Sequence, residues 1–426
     1  MSPHGDFLRE KLSSAEDITP LNKPLFIWDN KRGRSPTEYL KKCKVSNEIP
    51  FGYDVATWRQ KFFNNGVAKL PFPFRTEPEI RSYKPDAPTM VLLFYPRPDQ
   101  DEARPIHRTD SYIRRIERIA DMKQQTIIYV PPELKSTVQS MRDDIYWYVI
   151  DDYPTIWDMP NNAYQKENFT TKQPALFTQF DGYTDADGEL KPEPRYNRPH
   201  HSAVCNAKAF IMYDAVLRNP FGSDRWMYVD AGFLFDDGPK DDTGIVWGDL
   251  FRNGLDTDKF KRAISMSRNT GVVMGEYAHT SGCPTLDDDC WVDPRRSWRA
   301  RQFIAQVYVG NSLGMLNYST RFMQTVDDMD ACGFYTGREE LVVAFVALRY
   351  PNTVFSVPFF RLPKVLDYPW QFPMKFVFSG VGGRESVPPI VDPIRTLYYN
   401  DYAPRRPDMT AEGIYKKPGV EEWTVG

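Results

Sequence analysis

The stretch WMYVDAGFLFDDG (226–238) runs from apolar and aromatic residues into Asp230, Ala231 and Gly232. A strand that ends on an acid and a glycine presents that acid to its surroundings. One carboxylate there can ligate a metal, contact a ribose or accept a phosphoryl group; a plain Asp-Gly turn is the structural alternative. Lys208, at the edge of a helical apolar face, can reach a diphosphate, where positive charge offsets the charge developing on a leaving group. A solvated lysine is its bland counterpart. His200 and His201 precede the same helix, as loop histidines or as ligand contacts. Arg295, Arg296, Arg299 and Arg301 surround Trp298. Guanidinium forks suit phosphates and an indole suits a base or sugar face, against the reading of a solvated charge cluster. In TGREE (336–340), Thr336 and Glu339 fit a capping box, with Thr as N-cap and Glu at the third helical position. That leaves Glu340 freer than Glu339 to deprotonate an attacking hydroxyl.

These residues need a scaffold. TMVLLFY (89–95), TIIYV (126–130) and IYWYVI (145–150) read as short buried strands. Between them, 109–125 places Tyr112, Ile113, Ile116, Ile119 and Ala120 on one helical face, and PPELKSTVQSMR starts a helix on proline. Strand and helix in alternation predict a mostly parallel α/β sheet, with ligands beyond the carboxyl ends of its strands. A polar, proline-rich stretch (152–200) is too long for a simple connection and is suspected of function. The next helix shows Val204, Ala207, Ile211 and Ala215 on one face and stops before Pro220, and the strand carrying Asp230 follows. Farther on, we expect helices near 248–254, 319–333 and 336–351, and strands in 270–277 and 353–360. Residues 1–84 read as an extension wrapping the core, 85–375 as one large domain, and 376–426 as a tail packed on its surface.

The chain has 426 residues, 41% hydrophobic and 26% charged, as expected of a soluble folded protein. A net charge of −3 gives no support to a nucleic-acid partner, which calls for a basic face. No apolar run is long enough for a transmembrane helix, and the first residues have neither the core of a signal peptide nor that of an anchor. A cytoplasmic location is therefore expected, with secretory-pathway association left open. Five scattered cysteines read as free thiols, although Cys283 and Cys290, flanking the acidic run Asp287–Asp289, could pair.

The stretch KAFIMYDAVLRNPFGSDRWMYVDAGF (208–233) resembles the signature of the HtrL/YibB (WlaTC-like) glycosyltransferase family: a Lys-bearing helix, Asn-Pro-Phe, then an aromatic strand ending Asp-Ala-Gly. RQFIAQVYVGNSLGM (301–315) and GREELVVAFVALRYPNTVF (337–355) are similar to later parts of that family. The similarity spans about 200–360, and 88–150 in pattern only. It implies a GT-A-like fold and transfer of a sugar from a nucleoside-diphosphate donor to a hydroxyl of a glycan or glycolipid. Asp230, Gly232, Lys208, His201, Arg295 and Arg299 would then bind the donor, and Glu340, Glu339 and Asp230 would be catalytic. Transferases of this type commonly carry Asp-x-Asp, and here Gly232 replaces the second acid. Mn²⁺ or Mg²⁺ on Asp230 and Asp236 is one expectation, with Asp237 or Asp287–Asp289 as substitutes; metal-independent neutralisation by the arginines is the other. Two rivals stand beside this reading: a catalytically degenerate glycan- or protein-binding module, and a phosphate-transfer enzyme nucleophilic at Asp230.

Overall fold

A computed structural model describes residues 86–98, 108–122, 124–172, 182–184, 190–192, 199–232, 255, 257–267, 270–277, 302–331, 336–337, 339–350 and 353–358. Both expected extensions, 1–84 and 376–426, and the helix expected near 248–254 lie outside these residues. In chain order the elements are β1 (Thr89–Leu93), α1 (Thr109–Asp121), β2 (Gln125–Tyr129), α2 (Pro132–Gln139) and β3 (Trp147–Ile150). A 3₁₀ turn (Ile156–Asp158) leads to α3 (Pro160–Glu167), which ends in a π turn (Asn168–Lys172). A short hairpin, β4 (Gly182–Thr184) and β5 (Leu190–Pro192), precedes α4 (Pro199–Arg218) and β6 (Arg225–Val229). Then come α5 (Thr257–Met266), β7 (Val272–Tyr277), β8 (Gln302–Asn311), α6 (Ser312–Ala331), α7 (Glu339–Arg349) and β9 (Val354–Pro358).

Seven strands form one sheet in the order β3-β2-β1-β6-β8-β7-β9. The pairs β3–β2, β2–β1, β1–β6 and β7–β9 are parallel, while β8 runs antiparallel to both neighbours. A single reversed strand keeps the sheet mostly parallel, as the alternation of elements predicts. Strand parity sorts the core into two layers. Met90, Leu92 and Phe94 pack with Ile116, Ile119 and Phe260 of α1 and α5. Val91, Leu93, Trp226 and Tyr228 face the other way, onto α4, α6 and α7.

The chain steps from β1 outward to β2 and β3, then returns to place β6 on the other side of β1. The strands that follow β1 and β6 in the chain therefore lie on opposite sides of the pair, and sheets of this kind bind ligands at the carboxyl ends of such a switch point. The turn into β6 is built by the Asn-Pro-Phe motif. Asn219 takes a positive φ of 34° where α4 ends, and its side chain brackets Ser223, accepting from the Ser223 N–H (2.8 Å) and donating to its carbonyl (2.9 Å). Pro220 cannot extend the helix, and Phe221 is fully buried.

The stretch 152–200, too long for a simple connection, contributes Ile156, Met159 and Phe169 to the core beneath α4. One expectation changes. The helix α6 begins at Ser312, seven residues before the expected start at 319, because the Asn311 side chain caps it by accepting from the Gly314 N–H (2.8 Å). Gly314 is required there: a Cβ would lie 2.2 Å from the Gly271 carbonyl oxygen.

Candidate functional site

Asp230 is the first residue past β6. Its N–H donates to the Gln306 carbonyl of β8 (2.8 Å), so the backbone is still held in the sheet. Parity turns the side chain toward α4, like Trp226 and Tyr228. There Oδ2 meets Lys208 Nζ at 2.9 Å and Oδ1 accepts from the Gly232 N–H at 2.7 Å. The carboxylate is fixed, yet its side chain remains 25% exposed. It stands at the carboxyl end of β6, at the switch point.

Lys208 is the cation beneath it. The ammonium donates to Glu339 Oε1 (2.6 Å), lies 5.7 Å from the Tyr228 ring centroid, and is almost wholly buried. The solvated reading of this lysine is thereby corrected: both carboxylates reach it inside the protein, where an unpaired charge would be costly. Burial pulls the Lys208 pKa down, but Asp230 and Glu339 outweigh it and hold the ammonium well above its ordinary value. Asp230 is pushed up by burial and pulled below its ordinary value by Lys208 and the Gly232 N–H. Glu339 goes the other way. Burial drives its carboxyl up to about 8, Lys208 opposes this, and the Glu340 and Asp230 charges add to it. Its second oxygen, Oε2, is buried without a hydrogen-bond partner among the described residues. Near neutral pH the trio thus holds one ammonium, one carboxylate and one carboxyl that retains its proton.

The capping box is also corrected. The helix α7 opens on Glu339 rather than reaching it at the third position, and the carboxylate turns to Lys208 instead of back to Thr336. Glu340 follows, half-buried, with its charge acting on Glu339.

Tyr112 of α1 closes one side. Its ring stacks on Phe94 (centroids 5.1 Å apart) and carries the Arg115 guanidinium 4.9 Å from its centroid. A Cβ on Gly232 would lie 3.1 Å from both Asp230 Oδ1 and Tyr112 Cε1, and 3.2 Å from the Tyr112 hydroxyl. A side chain at position 232 would therefore crowd the Tyr112 ring. The sequence placed Tyr112 only on an apolar face; its period marks which side of α1 packs inward but not that the hydroxyl ends at the strand terminus. His201, in the first turn of α4, bears electrostatically on Asp230, and its Nε2 is 3.6 Å from Cys205 Sγ.

Residues 92–267 match the family model HtrL_YibB, described as a bacterial protein of unknown function. This stretch of the chain is similar to the HtrL/YibB family. Neither a curated protein nor a solved structure matches the chain. The HtrL/YibB stretch runs from β1 through α5 and supplies Tyr112, Lys208, Asp230 and Gly232; Glu339 comes from beyond it.

The structure thus brings together Asp230, Gly232, Lys208, His201 and Glu339, with Glu340 adjacent. Asp236, Asp237, Asp287–Asp289, Cys283, Cys290, Arg295, Arg296, Trp298, Arg299 and Arg301 lie outside the described residues. Among the described residues no three acidic, His or Cys side chains gather as a metal-binding set. In the HtrL/YibB stretch Asp230 already holds an ammonium on one oxygen and an N–H on the other, so the described groups alone do not fit Mn²⁺ or Mg²⁺. No helix among the described residues is long and apolar enough to cross a membrane.

Proposed function

We propose that this protein transfers a glycosyl group from a nucleoside-diphosphate sugar to a hydroxyl of a glycan or glycolipid. The observation that carries the reading is Asp230: a charged, partly exposed carboxylate locked by Lys208 and Gly232 at the switch point of a mostly parallel sheet. An ionised carboxylate so held accepts hydrogen bonds from ribose hydroxyls, and the switch point is where such folds bind nucleotides. In a direct displacement the acceptor oxygen attacks the anomeric carbon as the bond to the diphosphate oxygen breaks. The acceptor proton must then go to a base, and Glu340, beside the protonated Glu339 at the start of α7, supplies it. Glu340 is the less buried of the two. Lys208 acts through Asp230 and Glu339 as a positioning residue.

Thermal-shift and calorimetric titration with UDP- and GDP-sugars, with and without Mn²⁺, tests this. At least one donor should stabilise the wild-type protein and fail to stabilise Asp230→Asn. A protein indifferent to every nucleotide sugar would sink the proposal. One observation favours a second reading: Tyr112 leaves little room for a side chain at position 232, as a binding module without transferase activity would allow. Glycan binding that persists in Asp230→Asn would support that module. The phosphoryl-acceptor reading fits less well, since both Asp230 oxygens are engaged. Stable trapping of beryllium fluoride on Asp230 would revive it.

A further inference from the structure

Away from the sheet, α3, α4 and α6 line a small, partly open cavity with Asn161, Asn162, Gln165, Asn206 and Asp327 and with apolar side chains including Phe169 and Phe322. Its amides have fixed orientations. The Asn206 Nδ2 donates to the carbonyls of Ser202 (2.9 Å) and Thr336 (3.0 Å). The Asn162 Nδ2 donates to those of Ile156 and Ala203, both at 2.9 Å. Asn161 Nδ2 donates to Asn162 Oδ1 (3.0 Å) and to the Asn206 carbonyl (3.3 Å). Gln165 Nε2 donates to Asp327 Oδ1 (2.9 Å), and its own Oε1 accepts from Asn168 (2.9 Å). A carbonyl accepts but cannot donate, so flipping any of the three asparagines would set an oxygen against a backbone oxygen.

The donors of these amides are thus committed inside the protein, while two acceptors are not. Asn161 Oδ1 and Asn206 Oδ1 are buried with no hydrogen-bond partner among the described residues, on side chains of residues only 6% and 2% exposed. Leaving a buried acceptor unsatisfied forfeits the hydrogen bond that it makes in water. Both belong to the lining of one cavity, which has room for a single water-sized molecule. What fits is small and carries two hydrogens to donate.

We propose that this cavity is a binding site for one structural water molecule, donating to Asn161 Oδ1 and Asn206 Oδ1. A monovalent cation is the competing occupant. It would need five or six oxygen ligands and would shed its hydration at a cost of several kcal/mol, against two uncommitted oxygens and one carboxylate that already accepts from Gln165. Water needs only the two. The site has a reach beyond itself: Asn206 holds the Thr336 carbonyl, three residues before Glu339, so the bridged water braces the segment that delivers Glu339 to Lys208.

Two measurements on the full chain test this. A crystal structure of the wild type should show a peak about 2.7–3.2 Å from both oxygens. Oxygen-17 magnetic relaxation dispersion should count one fewer long-lived internal water in Asn161→Leu than in the wild type. An empty cavity, an unchanged water count in a folded Asn161→Leu, or an anomalous peak at this position after rubidium soaking would each overturn the proposal, the last in favour of a cation. If Asn161→Leu does not fold, the wild-type crystal alone decides.

Discussion

Lys208 Nζ lies 2.6 Å from Glu339 Oε1, joining residues 131 positions apart, and the same ammonium lies 2.9 Å from Asp230. One buried cation therefore fixes both the end of β6 and the start of α7.

Lys208→Met removes that cation and leaves two carboxyl groups facing each other in the interior. Breaking a buried pair from one side costs about 3–5 kcal/mol, so a drop of that order in urea-unfolding stability is expected. Adding Glu339→Gln should recover part of it, because the lost interaction is shared; the coupling read from the four-protein cycle should lie at about 0.5–3 kcal/mol. Strictly additive effects would contradict the shared contact.

Glu339 makes stability depend on pH in a defined direction. Its folded carboxyl titrates at about 8 against an ordinary value of 4.5. The folded state holds the extra proton between these values. Its contribution is full below about 4.5 and is lost as pH rises through about 8, with a slope of at most about 1.4 kcal/mol per pH unit. Glu339→Gln, which resembles the protonated form, should flatten that slope. Unfolding midpoints of the two proteins from pH 5 to 9 would show it, and parallel curves would refute it.

Gly232 offers a sharper test of what a side chain at this position meets. Gly232→Ala places a methyl 3.1 Å from Asp230 Oδ1 and from Tyr112, and overpacking of this kind costs about 1–3 kcal/mol. Gly232→Asp adds a second negative charge beside Asp230 and should cost more. Combining it with Tyr112→Ala opens the space and should restore part of the loss, measured as thermal midpoint. A well-folded Gly232→Asp alone would show that the ring is not what excludes a side chain.

Gly314→Ala sets two effects against each other. In a helix, alanine gains about 0.8–1 kcal/mol over glycine. Here the new Cβ would stand 2.2 Å from the Gly271 carbonyl oxygen, a backbone atom with no rotamer to turn away. The clash should win, and a net loss of stability is expected.

Much of the scaffold was legible. The strands β1, β2 and β3, the helices between them and the strand ending at Asp230 follow from apolar periodicity and from proline and asparagine stops. What was not legible depends on distant partners. The strand β8 lies in 301–315, where Val307 and Val309 face one layer and Ala305 and Tyr308 the other, so its residues are apolar on both sides and carry no amphipathic period. Lys208 was placed at the edge of an apolar face, yet α4 is buried on nearly every side, and no local pattern says which side meets an acid. The choice between Glu339 and Glu340 turned on where α7 begins, and a shift of two residues exchanges their surroundings. Tyr112 counted as one apolar residue among five because its partner, Gly232, is 120 positions away.

The reversed strand bears on the order in which the chain leaves the ribosome. Asp230 is tied by its own N–H to Gln306 and by Lys208 to Glu339, both of which emerge after the family-matched stretch has been synthesised. Until then β6 is an open edge and Lys208 lacks the Glu339 carboxyl that accepts its hydrogen bond. A nascent chain halted near residue 267 should therefore be a sticky, incomplete sheet that leans on chaperones, and the site should come into being only with the late arrival of α7.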